Sequence, residues 1–352
     1  MTIFLVDLEA VETRYTGQWK THVPKLLEGA GHAVTIIEGP TDIPSATTPG
    51  AFLNFGGTNI YKARQVEEIA RLFTSGKVID GDHFLFTDAW HPGIINLKYM
   101  AELLNVKIKI HALWHAGSYD PQDFLGRLIG DAPWVRHSEK AFFHAIDHNY
   151  FATQFHIDLF IKNLLKDEPL NIGKDKIVRT GWPMEYLKDS LEPFKHLPKR
   201  DLILFPHRIA PEKQVEIFRD LAASMPEYEW IVCQDQKLSK LQYHALLGSA
   251  KIVFSANLQE TLGISCYEGA LVNAIPIVPD RLSYTEMYSS IFKYPSAYTE
   301  SWDSYQAYKS ELMDVIHYHI ENYPSTLRIL KAQTESLHTN FFSATKLLEN
   351  IK

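Results

Sequence analysis

Short apolar stretches alternate with amphipathic stretches along the whole chain. Apolar strands are predicted to begin at Thr2, Val34, Phe84, Val106, Leu202 and Ile252. Polar loops and stretches of helical periodicity separate them. Because strands that alternate with helices pair in parallel through crossover connections, the pattern predicts an α/β protein with mostly parallel sheets.

The length and composition favour two domains. The chain has 352 residues, of which 45% are hydrophobic and 22% charged, so it can bury more than one core. Residues 173–200 are rich in Pro and charged side chains, which is typical of a connection between domains. We therefore expect a first domain over residues 1–172 and a second over 201–337.

No stretch of the chain reaches the 18 apolar residues of a membrane span, and no basic and apolar leader precedes the first strand. The two cysteines, Cys233 and Cys266, both fall in predicted core segments. That placement indicates no disulfide framework. These features predict a cytoplasmic protein, or one of the host cytoplasm if the source is a virus. They leave the oligomeric state open.

Glu260 and Glu268 lie on either side of a predicted helix start. An apolar strand runs into a polar loop that carries Glu260, then Gly263 opens the helix, and Glu268 follows in its second turn. Backbone N–H groups at a helix start lack intrahelical acceptors, so those of Leu262, Gly263 and Ile264 are suited to a diphosphate. Carboxylates on both sides of such a loop can accept hydrogen bonds from sugar hydroxyls. The combination indicates a nucleotide-sugar site.

This segment resembles the Glu-x7-Glu motif of retaining GT-B glycosyltransferases, the group around glycogen synthases and bacterial mannosyltransferases. The resemblance implies an α/β fold of two Rossmann-like domains that face a cleft. It also implies transfer of a sugar from a nucleoside diphosphate to a hydroxyl acceptor, with retention of configuration. In that family the first Glu contacts the donor sugar and the second the ribose, so these roles fall on Glu260 and Glu268.

Residues 202–213 add two cations to the resemblance. They read as a strand, a loop and a helix start, similar to the family's strand followed by G-R-L-x-P-E-K. Arg208 and Lys213 fall on the cations that hold the donor diphosphate, whose charge grows as the glycosidic bond breaks. Pro206 and His207 stand where the family commonly has Gly. Because the two cations can replace Mg²⁺, we expect neither a metal nor another cofactor.

The N-terminal segment resembles the family's strand, glycine loop, helix and second strand. Gly17 follows a polar loop and, without a Cβ, would let the backbone approach the donor phosphates. A helical pattern begins over residues 22–27, and Gly31 fits the position just after a helix end. At the other end of the chain, 338–352 resembles the family's last helix, which crosses back onto the first domain.

Two histidines at predicted strand ends are candidates for catalysis. His91 lies in a segment that resembles the D-W-H-x-G sequence of glycogen-synthase-like enzymes. His115 follows the strand that begins at Val106, where many relatives carry a His. Open α/β sheets bind ligands at the carboxyl ends of their strands, so both are expected beside the acceptor. We assign His115 to positioning or proton handling rather than nucleophilic attack, and expect His111 to face inward.

The sequence leaves both substrates open. Residues 230–235 replace the family's Gly-rich turn, so UDP-, GDP- and ADP-sugars all remain candidate donors. Residues 275–286 resemble the tRNA-queuosine mannosyltransferase-like branch, which makes a modified DNA or tRNA base an alternative acceptor. A net charge of −7 argues against nucleic acid, since phosphate tracking needs a basic face. Lys98, Lys107 and Lys109 are the candidate local patch.

Two further functions are alternatives. A nucleotide-sugar-binding protein without catalysis would not need the intact carboxylates and cations. A GT-B-fold epimerase would act on a nucleotide sugar alone and would consume the donor without any added acceptor.

Overall fold

The computed structural model describes residues 1–11, 14–44, 46, 53–130, 132–169, 173 and 175–351. The chain divides into two compact units, the first made of Met1–Pro183 with Ala344–Lys352 and the second of Met184–Ser343. The division after Pro183 falls inside the predicted connection. Residue 172, the predicted end of the first domain, lies outside the described residues, and the predicted domain limits stay predictions.

The first unit is built on a six-stranded sheet whose strands all pair in parallel, in the order β2-β1-β3-β4-β5-β6. The strands are β1 (Thr2–Val6), β2 (Ala33–Ile37), β3 (His83–Phe86), β4 (Lys109–Trp114), β5 (His148–Phe151) and β6 (Ile177–Arg179). Its connecting helices are α1 (Tyr15–Gly29), α2 (Phe55–Thr74), α3 (Gly93–Leu103), α4 (Phe124–Ile129), α5 (Pro133–Ala145) and α6 (Gln154–Leu164).

The second unit is built on a five-stranded parallel sheet in the order β11-β10-β9-β7-β8. Its strands are β7 (Arg200–Phe205), β8 (Glu229–Val232), β9 (Ala250–Phe254), β10 (Ile275–Pro279) and β11 (Lys293–Tyr294). Its helices are α7 (Tyr186–Leu191), α8 (Val215–Ser224), α9 (Lys240–Ser249), α10 (Ile264–Leu271), α11 (Tyr284–Met287), α12 (Trp302–Glu321) and α13 (Tyr323–Phe341). The last helix, α14 (Thr345–Asn350), groups with the first unit.

The central strands explain why the apolar stretches were readable in the sequence. In β3 the residues 84–86 are fully buried, and in β9 so are 252–254. Parallel strands covered by helices on both faces are apolar on both sides rather than alternating. The predicted α/β class with mostly parallel sheets is confirmed. Cys233 and Cys266 are free and buried, also as predicted.

Helix α1 shows one correct and one wrong boundary. It begins at Tyr15 rather than in the predicted segment 22–27, because the apolar spacing extends back through the buried Trp19. Gly31 adopts a φ of 90°, and its N–H bonds to the Glu28 carbonyl, while the next N–H reaches back to Leu27. This is the Schellman arrangement, and the predicted helix end is confirmed.

His111 faces the interior of the first unit, as predicted. Its ring stacks on His83 and His148, with centroids 5.0 and 4.9 Å apart, and its Nδ1 lies 2.7 Å from the Tyr150 hydroxyl. The three imidazoles come from the adjacent strands β3, β4 and β5. Burial lowers the pKa of each, and the nearby Lys109 ammonium lowers all three further.

These histidines should make folding sensitive to acid. Below the ordinary histidine pKa of about 6.5, these imidazoles bind protons in the unfolded chain but not in the folded protein. The free energy of unfolding therefore decreases as the pH is lowered. Urea midpoints measured between pH 7.5 and 5 should drop. His148→Gln should make that drop smaller, whereas His196→Gln, at an exposed position, should keep the wild-type dependence. Equal slopes for all three proteins would contradict the prediction.

Candidate functional site

The Glu-x7-Glu segment forms the loop between β9 and α10, as the sequence indicated. Residues 255–263 make the loop, with Glu260 inside it and Glu268 in the second turn of α10. The Gly263 N–H donates to the Glu260 carboxylate, so this amide is already engaged. The N–H groups of Leu262 and Ile264 have no acceptor among the described residues. An anion at this helix start would meet those amides.

Lys213 and Glu260 form an ion pair at the loop. The Lys213 ammonium donates to the Gln259 carbonyl and lies 3.2 Å from Glu260 Oε2, which also accepts from Asn257 Nδ2 at 2.9 Å. Burial acts to raise the pKa of Glu260, but the Lys213 charge, the neighbouring His207 and the hydrogen bonds from Lys213 and the Gly263 N–H lower it to about 2. Glu260 is therefore a firmly charged carboxylate that accepts hydrogen bonds.

Arg208 lies in the same part of the second unit. It follows β7, and its guanidinium pairs with the buried carboxylate of Glu212. The Glu212 carbonyl in turn accepts from the Leu258 N–H at 2.8 Å, which joins this segment to the loop after β9. The structure thus connects the segments that carry the two predicted cations and the first Glu. Each cation has a carboxylate partner within the protein.

Side chains that the sequence analysis did not select hold this loop in place. The Arg281 guanidinium donates to the carbonyls of Asn257 and Ala256 at 2.7 and 2.8 Å. Gln214 Nε2, from a residue with left-handed backbone, donates to the same Ala256 carbonyl at 2.6 Å. The Tyr294 hydroxyl donates to the Ser255 carbonyl at 2.8 Å. These bonds supply donors to buried loop carbonyls, which lie outside the hydrogen bonding of a sheet or a helix.

Glu268 has a different partner. Its Oε2 accepts from the Tyr243 hydroxyl of α9 at 2.8 Å. Burial raises the pKa of Glu268 to about 7, although Tyr243 and the more distant Lys240 act to lower it. The two carboxylates of one motif therefore differ in charge near neutral pH.

In the first unit, both ring nitrogens of His115 are engaged. Nε2 lies 2.6 Å from the Thr87 carbonyl, which can only accept, so the ring proton is on Nε2. Nδ1 then accepts from the Tyr15 hydroxyl at 2.5 Å. Trp19 and Trp182 pack around the same ring with centroids 5.4 and 4.6 Å away. Burial lowers the pKa of His115, which favours the neutral ring that these bonds require.

His91 is nearly sealed inside the first unit. Its Nε2 lies 3.0 Å from Gln65 Oε1, and its Nδ1 accepts from the Gly93 N–H at 2.9 Å, at the start of α3. Burial lowers the pKa of His91 to about 3. This geometry ties His91 to a helix start, whereas His115 is half-buried at the end of β4.

The remaining predicted residues are Gly17 and the three lysines of the candidate patch. Gly17 sits in the first turn of α1, and its N–H donates to the Arg14 carbonyl at 3.2 Å. Lys107 and Lys109 lie at the amino end of β4, the end opposite His115, a separation of roughly 20 Å along the strand. Lys98 pairs with Glu102 at 3.2 Å. The lysines therefore do not form a basic surface beside His115.

No family model matches the sequence, and no curated protein does. Solved structures do match over nearly their whole length. Sucrose-phosphate synthase from Thermosynechococcus elongatus aligns with a TM-score of 0.62 at 11% identity, covering 100% of this chain and 97% of the other. The catalytic domain of starch synthase IV from Arabidopsis thaliana, bound to ADP and acarbose, aligns at 0.59 and 12%, covering 99% and 97%. HepE from Anabaena, in complex with UDP and glucose, aligns at 0.58 and 12%, covering 99% and 98%.

The chain has the GT-B fold. This confirms the fold class predicted from the sequence, in which two parallel sheets each belong to a Rossmann-like unit. Among the described residues of this GT-B chain, no three His, Cys, Asp or Glu side chains are grouped to hold a metal ion. None of the described helices combines the length and hydropathy that a bilayer-spanning segment requires.

Gly263 of this GT-B chain leaves no room for a side chain at the loop. Its φ is 66°, and an added Cβ would lie 2.6 Å from Tyr284 Cε1. Left-handed backbone costs a residue with a Cβ about 1–2 kcal/mol, and forced overpacking about 1–3 more. Gly263→Ala should therefore lower the free energy of unfolding by a few kcal/mol in urea titrations.

Gly29, in the last turn of α1, is the matched control, because an added Cβ there meets nothing within 4 Å. Gly29→Ala should leave the urea midpoint unchanged or raise it slightly. A Gly263→Ala protein as stable as the Gly29→Ala protein would show that Tyr284 and the loop adjust freely.

Proposed function

We propose that the protein transfers a sugar from a nucleoside diphosphate to a hydroxyl group of an acceptor, with retention of configuration. The observation that supports this most directly is the Lys213–Glu260 pair, placed at the start of α10 in the second unit of a GT-B fold. Retention rests on the resemblance of Glu260 and Glu268 to the Glu-x7-Glu motif of retaining enzymes.

The donor diphosphate would bind at the start of α10. The N–H groups of Leu262 and Ile264 lie at the positive end of the α10 dipole and would donate to phosphate oxygens. Lys213 and Arg208 add full charges, which stabilise the leaving diphosphate more strongly as its charge grows. Since each cation is already paired with a carboxylate, the donor must share these cations rather than meet an unpaired positive cluster.

Glu260 would accept hydrogen bonds from hydroxyls of the transferred sugar. Its depressed pKa keeps it charged, and Lys213 and Asn257 hold one of its oxygens in place. Glu268 would accept from the ribose. On the acceptor side we propose His115, whose neutral ring and Tyr15 contact suit the positioning or relay of a proton.

A substrate panel tests the proposal. Melting temperatures measured with UDP-, GDP- and ADP-sugars identify the donor, because ligands that bind the folded state raise them. UDP and ADP come first, since HepE and starch synthase IV are described with them. The stabilising donor is then incubated with small glycans, lipid extract, DNA and tRNA, and products are found by mass spectrometry.

Each result of the panel decides between the functions. NMR of the product gives the anomeric configuration, and an inverted product would overturn retention. Donor consumption without any acceptor would indicate an epimerase. Binding without consumption would indicate a sugar-nucleotide-binding protein, and a sugar added to DNA or tRNA would assign a nucleic-acid acceptor.

Lys213 should be essential for turnover. Lys213→Ala should lower kcat/KM by about 10²-fold or more, because a fixed cation is lost from the leaving group. Arg219→Ala, which breaks only an exposed pair with Asp235, is the control and should keep wild-type activity.

A double variant separates charge stabilisation from folding. Lys213→Met with Glu260→Gln removes both charges, so no unpaired carboxylate is left buried. It should melt near the wild-type temperature and remain inactive. Wild-type turnover by this variant would show that the donor does not bind at this position.

Activity should not depend on a divalent cation, because Lys213, Arg208 and the α10 amides supply the charge that Mg²⁺ gives other enzymes. Turnover should be equal in EDTA and in millimolar Mg²⁺. A tenfold stimulation by Mg²⁺ would contradict this.

A further inference from the structure

Glu268 and Tyr243 form an isolated pair in the second unit. Tyr243 lies on α9, whose start is fixed by a capping box between Ser239 and Gln242. Its hydroxyl donates to Glu268 Oε2 at 2.8 Å, and both side chains are half-buried. Because a tyrosine hydroxyl has a single proton, this bond uses it fully. Oε1 is left to accept from a ligand.

The charges around Glu268 differ from those around Glu260. No Lys or Arg of the described residues lies within ion-pair distance of Glu268, and Lys240 of α9 acts on it only from further away. The buried Cys233, which follows β8, and Cys266 of α10 are its other titratable neighbours. Burial raises the pKa of Glu268 to about 7. The hydroxyl of Tyr243 is thus its nearest stabilising partner.

The other elements packed on α10 do not supply a charge partner for Glu268. Helices α7 and α13 bring their titratable groups to Tyr267, the next residue along α10, whose hydroxyl lies 3.0 Å from His338. Lys251 of β9 pairs with Asp201 at 2.5 Å. Strand β10 carries no ionisable side chain. After burial, the Tyr243 contact therefore has the largest effect on how readily Glu268 loses its proton.

We propose that Tyr243 is a positioning residue for the nucleoside: its hydroxyl holds Glu268 in the charged form that accepts a ribose hydroxyl, so nucleotide affinity falls as the pH drops through neutrality. This rests on the proposed function, which assigns Glu268 to the ribose. A carboxylate accepts hydrogen bonds at both oxygens, whereas protonation removes the charge and turns one oxygen into a donor. Proton uptake by Glu268 therefore competes with ribose binding.

Calorimetry across pH tests the proposal. The nucleoside diphosphate of the donor found in the melting panel is titrated into wild type, Tyr243→Phe and Glu268→Gln between pH 5.5 and 9. Glu268→Gln cannot titrate at this position, so any pH dependence that it keeps belongs to the phosphates of the ligand. Relative to that baseline, wild-type affinity should fall as the pH drops below 7, with a limiting slope of about tenfold per pH unit.

Tyr243→Phe should shift the wild-type profile upward by about one pH unit, since a hydrogen bond to the charged form is lost. Its affinity should be about fivefold weaker at pH 7 and should return to within twofold of wild type by pH 9. Loss of only packing would weaken binding equally at every pH. That result, or a wild-type profile identical to that of Glu268→Gln, would overturn the proposal.

A measurement without ligand keeps this test separate from the proposed function. In NMR spectra with labelled Glu carboxyl carbons, one signal should titrate near neutral pH in wild type, move upward in Tyr243→Phe and vanish in Glu268→Gln. If no nucleotide binds at any pH but this pattern is seen, the ribose assignment fails and the Tyr243–Glu268 coupling stands. Absence of the pattern would refute the coupling.

Discussion

The contact between Lys213 and Glu260 determines the organisation of the second unit's site. It joins the segment after β7 to the loop after β9, the two places where a parallel sheet offers its carboxyl ends to a ligand. An unpaired charge in this largely buried position would be costly, so the two side chains need each other. Gln259 and Asn257 complete the arrangement with hydrogen bonds. The fixed charge of Glu260 depends on this pair, while Arg281, Gln214 and Tyr294 hold the loop that carries it.

Much of the fold could be predicted because its signals are local. Buried parallel strands are short apolar stretches, and Gly31 ends α1 through backbone geometry that glycine adopts without strain. The start of α1 was misplaced because a glycine and a polar segment weaken the helical pattern there. Trp19, buried among rings that come from distant parts of the chain, compensates for that weak propensity. Such long-range packing is not visible in a local pattern.

The candidate site was predictable only for residues that carry charge in a recognisable spacing. The residues that hold these side chains in place could not be predicted, because their role depends on tertiary contacts. Arg281 lies in the segment 275–286, which the sequence marked only by a family resemblance, and its hydrogen bonds to loop carbonyls show a structural use for it. Gln214 has a left-handed backbone, a conformation that a glutamine in the sequence gives no reason to predict. Tyr243 is separated from Glu268 by a complete strand and a loop.

The two carboxylates of the motif show that spacing alone does not define chemical state. Glu260 and Glu268 belong to one loop and one helix start, yet Lys213 lowers the pKa of the first and burial without an adjacent cation raises that of the second. A group whose charge is fixed suits hydroxyls that must be held throughout a reaction. A group near its titration point suits a ligand that binds and leaves, since a proton can take the ligand's place. The same reasoning separates His115 from His91, because both are neutral and doubly hydrogen-bonded, but only His115 bonds to a side-chain hydroxyl that can itself pass on a proton.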